Sequence, residues 1–205
     1  MTSLDKSSLE VLLEGRDRDH VIFWFGTDSA RHKVIGEFIE AAGERGDLIA
    51  IAMCLGDFEN LEKAISNKLH NLDDLIGRGN LMLFVSCEFL PRKDNGHIIR
   101  TRDTFAKLEG KAEAEKRGLR LIGTVPLAAM AAGDTEGCLE LERIGNESLK
   151  NGRLLCLYDT RLLPRLTPED MSRLNALHSH VLVESRNGKV VNSVTDPGRA
   201  HKLKK

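Results

Sequence analysis

The chain has 205 residues, of which 41% are hydrophobic and 30% charged, and its formal net charge is −1. This length favours one domain that can bury a full core without disulfides or metals. The near-zero charge gives no overall electrostatic case for nucleic-acid binding. No apolar run approaches the roughly 20 residues of a membrane span. The N-terminus lacks the apolar core of a signal peptide, so we expect a cytoplasmic protein.

The cysteines agree with a reducing compartment. They are Cys54, Cys87, Cys138 and Cys156. None belongs to a Cys-x-x-Cys pair, and at least three lie in or beside apolar runs. We therefore expect buried free thiols rather than a disulfide framework.

Short apolar runs alternate with longer amphipathic stretches along the chain. The short runs are nearly continuous in hydrophobic residues, which is typical of strands buried on both faces. The longer stretches repeat their apolar residues at helical spacing. In chain order we predict a strand at 20–25, a helix at 29–44, a strand at 48–54, a helix at 58–69, a strand at 80–87, a helix at 101–117, a strand at 119–125, a helix at 135–150, a strand at 153–158, a helix at 168–177 and a final hairpin with arms at 181–184 and 189–191.

This alternation predicts an α/β fold with a mostly parallel central sheet, helices on both faces and a C-terminal hairpin at one edge. The hairpin is indicated by Asn187-Gly188, a strong turn signal. No internal repeat or linker divides the chain. We assign a single domain at 18–193, preceded by an N-terminal segment at 1–17 and followed by a basic flexible tail at 194–205.

Gly26 lies between a predicted strand and a predicted helix, where many α/β proteins bind phosphate. A P-loop needs a second glycine and then Lys-Ser/Thr, but those positions hold Arg31, His32 and Lys33. The glycine pattern of dinucleotide-binding folds is also absent. Asp28 and the following Ser29 are typical helix-capping residues instead. The sequence thus predicts no functional P-loop.

Polar residues that can carry chemistry lie in the second half of the chain. Glu142 and Asn146 are four residues apart, so they share one helix face. Cys156, Tyr158 and Asp159 end the fifth predicted strand, where positions 156 and 158 point to one side of the sheet and 159 to the other.

Histidines mark two further positions. His20 begins the first strand, and His178-Ser179-His180 follows the last helix. Two histidines at this spacing in extended chain could share a metal, but two ligands do not make a site. No arrangement forms a convincing pair of nucleophile and base, which favours a protein without enzymatic activity.

Taken together, these stretches resemble the MEDS domain, the sensory domain of methanogen and methylotroph regulators. The matching stretches are His20-Val-Ile-Phe-Trp-Phe25, Gly118-Leu-Arg-Leu-Ile-Gly123, Glu142-Arg-Ile-Gly-Asn146, and Leu155-Cys-Leu-Tyr-Asp159 followed by His178. The resemblance covers about residues 17–184. It implies a RecA-like three-layer fold without NTPase motifs, and a role in sensing small hydrocarbon derivatives. The ligand-pocket residues that it implies are Tyr158, Asp159, Glu142, Asn146, Cys156, His20 and His178.

Two arrangements of these residues are open. Because ligands gather beyond the carboxyl ends of parallel strands, the first is a split: Tyr158 and Asp159, with Glu142, face the ligand, while His20 is structural or belongs to a second site with His178 at the opposite rim of the sheet. In this arrangement Cys156 is a packing thiol. The second arrangement gathers His20, Cys156 and His178 around one metal, with zinc favoured by the ligand types.

The first functional hypothesis is a stand-alone sensory domain that binds a small organic ligand and signals through a regulatory protein partner or as a homodimer. We expect no direct contact with nucleic acid, because about 19 residues before the first strand and about 20 after the last apolar run are too few for a helix-turn-helix module. We also expect no contact with a membrane, because no apolar run is long enough to span one. One alternative is a divergent RecA-like nucleotide-binding protein that uses the Gly26 turn. Another is an interaction module that binds no ligand.

Overall fold

The computed structural model describes residues 3–14, 18–54, 58, 61, 72–89 and 96–193. Within these ranges a sheet of eight strands is flanked by helices on both faces. The strands are β1 (Ser3–Leu4), β2 (His20–Phe25), β3 (Leu48–Met53), β4 (Leu81–Val85), β5 (Leu119–Gly123), β6 (Gly152–Asp159), β7 (His180–Glu184) and β8 (Lys189–Ser193). The helices are α1 (Lys6–Glu14), α2 (Asp28–Arg45), α3 (Leu72–Gly77), α4 (Gly96–Ala114), α5 (Val125–Ala131), α6 (Thr135–Ser148) and α7 (Pro168–Ala176), with 3-10 turns at Ser86–Phe89 and Thr160–Arg165.

The order of the strands in the sheet is β1-β8-β7-β2-β6-β5-β3-β4. Neighbouring strands are parallel, except that β7 and β8 form an antiparallel hairpin. The predicted α/β fold with a mostly parallel sheet is therefore confirmed. The hairpin lies near one edge, with only the two-residue β1 beyond it.

Each face of the sheet has its own apolar core, because side chains alternate along a strand. On β2, the side chains of Val21, Phe23 and Phe25 pack with those of α1 and α2 on one face. The other positions of β2, which begin with His20, face the layer formed by α4 to α7. This second face carries several of the polar residues singled out in the sequence, among them Cys156 and Tyr158.

Several element boundaries differ from the sequence prediction. β5 ends at Gly123 instead of 125, because α5 begins at Val125 and has Pro126 in its first turn, where proline is well tolerated. Helix α4 begins at Gly96, before the predicted 101. Of the predicted helix at 58–69 only residues 58 and 61 are described, and both are helical. The predicted tail at 194–205 lies outside the described residues.

The helix ends follow local capping chemistry. Thr27 is the N-cap of α2 and its side chain accepts from the Ala30 amide, so Asp28 and Ser29 were wrongly predicted as the cap and lie inside the helix. Thr167 and Asp170 form a capping box at the start of α7, as their spacing indicates.

The segment assigned to 1–17 contributes α1 to the fold. Leu12 is fully buried, and its carbonyl accepts hydrogen bonds from the buried guanidinium groups of Arg120 and Arg153 at 3.0 and 3.1 Å. These cations lie at the C-terminal end of α1, where the helix dipole favours positive charge.

Among the described residues, no helix combines the length and apolar character that crossing a bilayer requires.

Candidate functional site

Four side chains that can bind a metal or transfer a proton meet inside the protein. They are His20, Glu142, Cys156 and His178, and one ligand atom of each lies within 4.8 Å of the others. Each residue is at most 5% exposed. They come from the start of β2, from α6, from β6, and from the connection between α7 and β7. We call these four residues the buried cluster.

The sheet register explains why the strand residues meet. β2 and β6 are parallel neighbours, and His20 pairs with Leu154. His20 and Cys156 therefore point to the same face of the sheet, two residues apart along the strands. Gly145 lets α6 approach this face, since a Cβ there would lie 2.8 Å from Leu154 Cδ2 and 3.5 Å from His20 Cε1.

The Glu142 carboxylate is the centre of the cluster. Its Oε2 lies 3.0 Å from His20 Nε2 and 3.5 Å from His178 Nε2. The same oxygen accepts a hydrogen bond from the Cys156 thiol, whose sulfur is 3.2 Å away. The other oxygen, Oε1, accepts from the Tyr158 hydroxyl. A single buried carboxylate thus joins the other three residues of the cluster and Tyr158.

The outer nitrogens of both histidines are held by oxygen acceptors. The Asn146 amide nitrogen donates to the Leu177 carbonyl at 2.6 Å, which turns Asn146 Oδ1 towards His20 Nδ1 at 3.0 Å. His178 Nδ1 lies 2.8 Å from the Leu174 carbonyl. Since these oxygens only accept, Nδ1 carries the proton in both rings. In the neutral form of each ring, the lone pair of Nε2 then points into the cluster.

A second layer of contacts supports the cluster. The Cys138 sulfur is 3.2 Å from the Tyr158 hydroxyl oxygen. The Trp24 and Tyr158 rings pack with their centroids 4.9 Å apart. Both Trp24 and Tyr158 are at most 1% exposed. These residues hold Tyr158 in place and exclude water from the carboxylate.

Burial and the shared carboxylate set the ionisation of the cluster. Burial and then the charge of Glu142 raise the pKa of the Cys156 thiol and of the Tyr158 hydroxyl well above their usual values. Burial and the nearby His20 lower the pKa of His178. Burial alone raises the pKa of Glu142, but the electrostatic interactions of this carboxylate with His178 and His20 outweigh burial and lower that pKa below its usual value. At neutral pH the cluster holds a carboxylate, a thiol and a neutral His178.

The predicted split arrangement is wrong. His20 and His178 do lie together, with ring centroids 4.1 Å apart, but both also touch Glu142, which the split placed at the other rim. Asp159 is the residue that lies apart: it caps the 3-10 turn at Thr160–Arg165 and pairs with the exposed Arg161. The physical reason is strand alternation, because Asp159 points away from the face that carries residues 156 and 158.

The Gly26 turn is filled by the protein itself. The Glu184 carboxylate accepts hydrogen bonds from the Gly26 and Thr27 amides at 2.7 and 2.8 Å, and from the Thr27 hydroxyl at 2.8 Å. These are the donors that would bind a phosphate at a helix N-terminus. The predicted absence of a functional P-loop therefore has a structural counterpart in this internal anion.

An apolar cavity of about 90 Å³ adjoins the buried cluster. Its walls come from β3, β4, β5 and β6, from the 3-10 turn at Ser86–Phe89, and from helices α4, α5 and α6. Most of the lining is aliphatic or aromatic. Polar groups come from Glu142 and Cys156 at the cluster and from Thr101 and Thr104 of α4. The cavity thus connects an apolar space to the polar cluster.

Some residues of this region escaped the sequence prediction. Cys138 and Gly145 lie at helical spacing from the predicted Glu142, so the sequence could have placed them on the same face of α6. Glu184 carried no signal, because its partners are 157 and 158 positions away.

The comparisons with known proteins agree with this geometry. The model of the family described as MEDS, "MEthanogen/methylotroph, DcmR Sensory domain", matches residues 19–178. No curated protein matches the chain.

Among solved structures, the chain is similar to the KaiC-like protein PH0186 from Pyrococcus horikoshii OT3, with 14% identity and a TM-score of 0.62 over 91% of this chain and 85% of that one. It is also similar to the flagellar accessory protein FlaH from Methanocaldococcus jannaschii, with 12% identity and a TM-score of 0.55 over 90% and 80% of the two chains. These likenesses show the RecA-like α/β fold.

Proposed function

The chain belongs to the MEDS family of sensory domains, and from this premise we propose that it senses a small organic molecule bound in the apolar cavity and passes the signal to a partner. The observation that carries the proposal is the junction of the cavity with Glu142 and Cys156. Small-molecule sites are typically apolar spaces with a few well-placed polar groups. The apolar walls would bury the hydrocarbon part of a ligand, and the cluster would bind its polar group.

The size of the cavity limits the ligand. An apolar cavity of about 150 Å³ can hold benzene, so 90 Å³ suits a molecule of only a few non-hydrogen atoms. Charged ligands are disfavoured, because burying an unpaired charge among aliphatic side chains is costly. We therefore propose a neutral C1 or short-chain compound with one hydrogen-bonding group.

The contacts of the cluster suggest how binding is transmitted. Glu142 and Asn146 lie on α6, and Asn146 also bonds the Leu177 carbonyl at the end of α7. A ligand that moves the Glu142 carboxylate would shift His178 and the α6–α7 packing with it. This mechanism requires that the ligand bind the shifted and unshifted conformations of α6 and α7 with different affinities.

Thermal shift against C1 and short-chain alcohols, aldehydes, amides and halides tests the ligand proposal. A ligand that binds only the folded state raises its melting temperature. Gly123 offers a blocking variant, because it lines the cavity and a Cβ built on it meets no described atom within 4 Å. We expect Gly123→Val to fill part of the cavity, to keep the fold, and to abolish the shift.

Gly110→Ala is the matched control for that variant. Gly110 is an exposed position of α4 whose added Cβ also meets no described atom within 4 Å, and it is not among the lining residues. The control should respond to ligand as the parent protein does. A shift that is the same in Gly123→Val and the parent, or no shift with any compound, would refute the cavity as the sensing site.

The output is proposed to pass through a regulatory protein partner or a second copy of the chain. Supporting this, the described residues form one α/β unit around one sheet, and the net charge of −1 gives no overall electrostatic attraction to nucleic acid. Light scattering with and without the active compound tests the homodimer, which predicts a ligand-dependent change in mass. An unchanged mass directs the search to a heterologous partner.

A further inference from the structure

We propose that the buried cluster is a zinc site, with His20, Glu142, Cys156 and His178 as its four ligands. Two imidazole nitrogens, a thiolate and a carboxylate are the donors that Zn²⁺ takes in four-coordinate sites. The proposal rests on the arrangement of these side chains. It does not depend on whether an organic ligand enters the cavity.

The distances fit a tetrahedron with little movement. Zinc–ligand bonds of about 2.0–2.3 Å place neighbouring donors about 3.3–3.8 Å apart. Glu142 Oε2 lies 3.0, 3.2 and 3.5 Å from the donor atoms of His20, Cys156 and His178. No pair of the four donor atoms is more than 4.8 Å apart. Adjustments of about 1 Å or less would therefore complete the coordination sphere.

The outer contacts orient both imidazoles as metal ligands. A ligating histidine typically donates its other N–H to a carbonyl or carboxylate oxygen, which fixes the ring and its tautomer. Here the acceptors are Asn146 Oδ1 for His20 and the Leu174 carbonyl for His178. Both Nε2 lone pairs then face the Glu142 carboxylate. Asn146 is in turn fixed by its bond to the Leu177 carbonyl.

The cluster also contains more acceptors than donors. When both rings are neutral and carry their proton on Nδ1, two Nε2 lone pairs and Glu142 Oε2 face inward, while the Cys156 thiol offers one proton. His178 Nε2 is fully buried and makes no hydrogen bond within the described part of the chain. Buried polar atoms are normally satisfied. A cation at the centre would satisfy all the lone pairs at once.

The charges balance when zinc is bound. A thiolate and a carboxylate contribute two negative charges, which cancel the two positive charges of Zn²⁺. A neutral site is compatible with an interior where each of the four residues is at most 5% exposed. The adjoining cavity reaches Glu142 and Cys156 and supplies a route for the ion.

Metal analysis and cobalt substitution test this site in untagged full-length protein. We expect about one zinc ion per chain after equilibration with zinc and removal of excess metal. Co²⁺ in its place should give the intense visible bands of a tetrahedral site and a near-ultraviolet thiolate charge-transfer band. Cys156→Ser should abolish the charge-transfer band and lower metal affinity roughly tenfold or more.

Two cysteine variants serve as matched controls. Cys138→Ser removes another buried thiol of the same region, and Cys54→Ser removes an exposed one. Both should keep the charge-transfer band and the zinc content. Asn146→Leu removes the outer partner of His20, together with the bond to the Leu177 carbonyl, and keeps all four ligands. It should weaken binding about 10- to 100-fold while the thiolate band persists.

Folding is checked separately, by circular dichroism of each variant. The parent protein should melt at a lower temperature after chelation and recover when zinc is added back. The proposal would be overturned if the parent protein took up no zinc and its melting temperature did not change on adding the chelator. Equal metal binding by the parent and Cys156→Ser, both folded, would also overturn it.

Discussion

The Glu184 carboxylate accepts a hydrogen bond from the Gly26 amide at 2.7 Å, although the two residues are 158 positions apart. Oε2 also accepts from the Thr27 amide at 2.8 Å. The carboxylate therefore occupies the N-terminal end of α2, where the helix dipole favours an anion. This contact joins the end of β7 to the turn after β2 and occupies the amides that a phosphate would need at this helix N-terminus.

Removing this carboxylate should destabilise the domain. Hydrogen bonds to a charged acceptor contribute about 1.5–3 kcal/mol, so we expect Glu184→Ala to lower the free energy of unfolding by about 2 kcal/mol in urea denaturation. Glu184→Gln keeps one acceptor oxygen, so it should lower the free energy of unfolding by less. Glu113→Ala, at an exposed position of α4, is the control and should change little. An effect of Glu184→Ala no larger than the control would show that the three contacts are not formed in solution.

The same contact predicts the outcome of nucleotide titration. Because the Gly26 and Thr27 amides already have an acceptor, isothermal titration with magnesium-ATP should give no saturable heat at high micromolar protein. Neutralising Lys33 or Asp159 should leave the trace unchanged. Saturable heat that weakens in Lys33→Ala would instead support the nucleotide-binding alternative.

Tyr158→Phe tests the support of the central carboxylate. The change removes the hydroxyl that donates to Glu142 Oε1 and leaves that oxygen buried without its donor. An unsatisfied buried group costs about 1–3 kcal/mol, and we expect a loss in this range by chemical denaturation. Cys138→Ala should destabilise the polar contacts around Glu142 less than Tyr158→Phe does, because Tyr158 would keep its bond to Glu142. A Tyr158→Phe protein as stable as the parent would exclude a structural role for the hydroxyl.

The sequence predicts more of the fold than of the candidate site. The strand at 20–25 was predicted with its observed bounds because a buried parallel strand is a local apolar run. Helix spacing also placed Glu142 and Asn146 on one face. The meeting of that face with His20 and His178 depends on strand order and register, which no local pattern encodes.

The buried arginines show the same limit. Arg120 and Arg153 are 1% and 3% exposed, although arginine is almost never fully buried unless it is paired. Their burial depends on α1, whose terminal carbonyls accept from both guanidinium groups. Since α1 lies more than 100 residues before either arginine, the pattern around each arginine could not reveal its partner.

Gly145→Ala tests the close approach of α6 to the sheet. Alanine is a better helix former than glycine, so at the open position of Gly110 the change should stabilise the protein by about 0.4–1 kcal/mol. At Gly145 the new Cβ would lie 2.8 Å from Leu154 Cδ2 and 3.5 Å from His20 Cε1. Overpacking costs about 1–3 kcal/mol, so we expect Gly145→Ala to be destabilising. If both variants gained the same stability in thermal unfolding, α6 would not pack against the sheet this closely.

The reactivity of the thiols should depend on pH in a way that separates buried from exposed cysteines. Burial, followed by the charge of Glu142, raises the pKa of Cys138 and of Cys156 above the usual thiol value. A raised pKa lowers the thiolate fraction at any given pH, and the thiolate is the nucleophile. Iodoacetamide at pH 8 should therefore modify the exposed Cys54 first, while Cys138 and Cys156 react only when the domain opens.

Mass spectrometry of peptides over a time course from pH 7 to pH 9 measures this order. A chelator is kept present, so that bound metal does not protect Cys156. Cys54 should be modified in the native protein, whereas modification of Cys138 and Cys156 should accelerate mainly on adding denaturant. Labelling of Cys156 as fast as Cys54 in the native protein would contradict both the burial of the thiol and its hydrogen bond to Glu142, since either one requires the sulfur to be sequestered from the reagent.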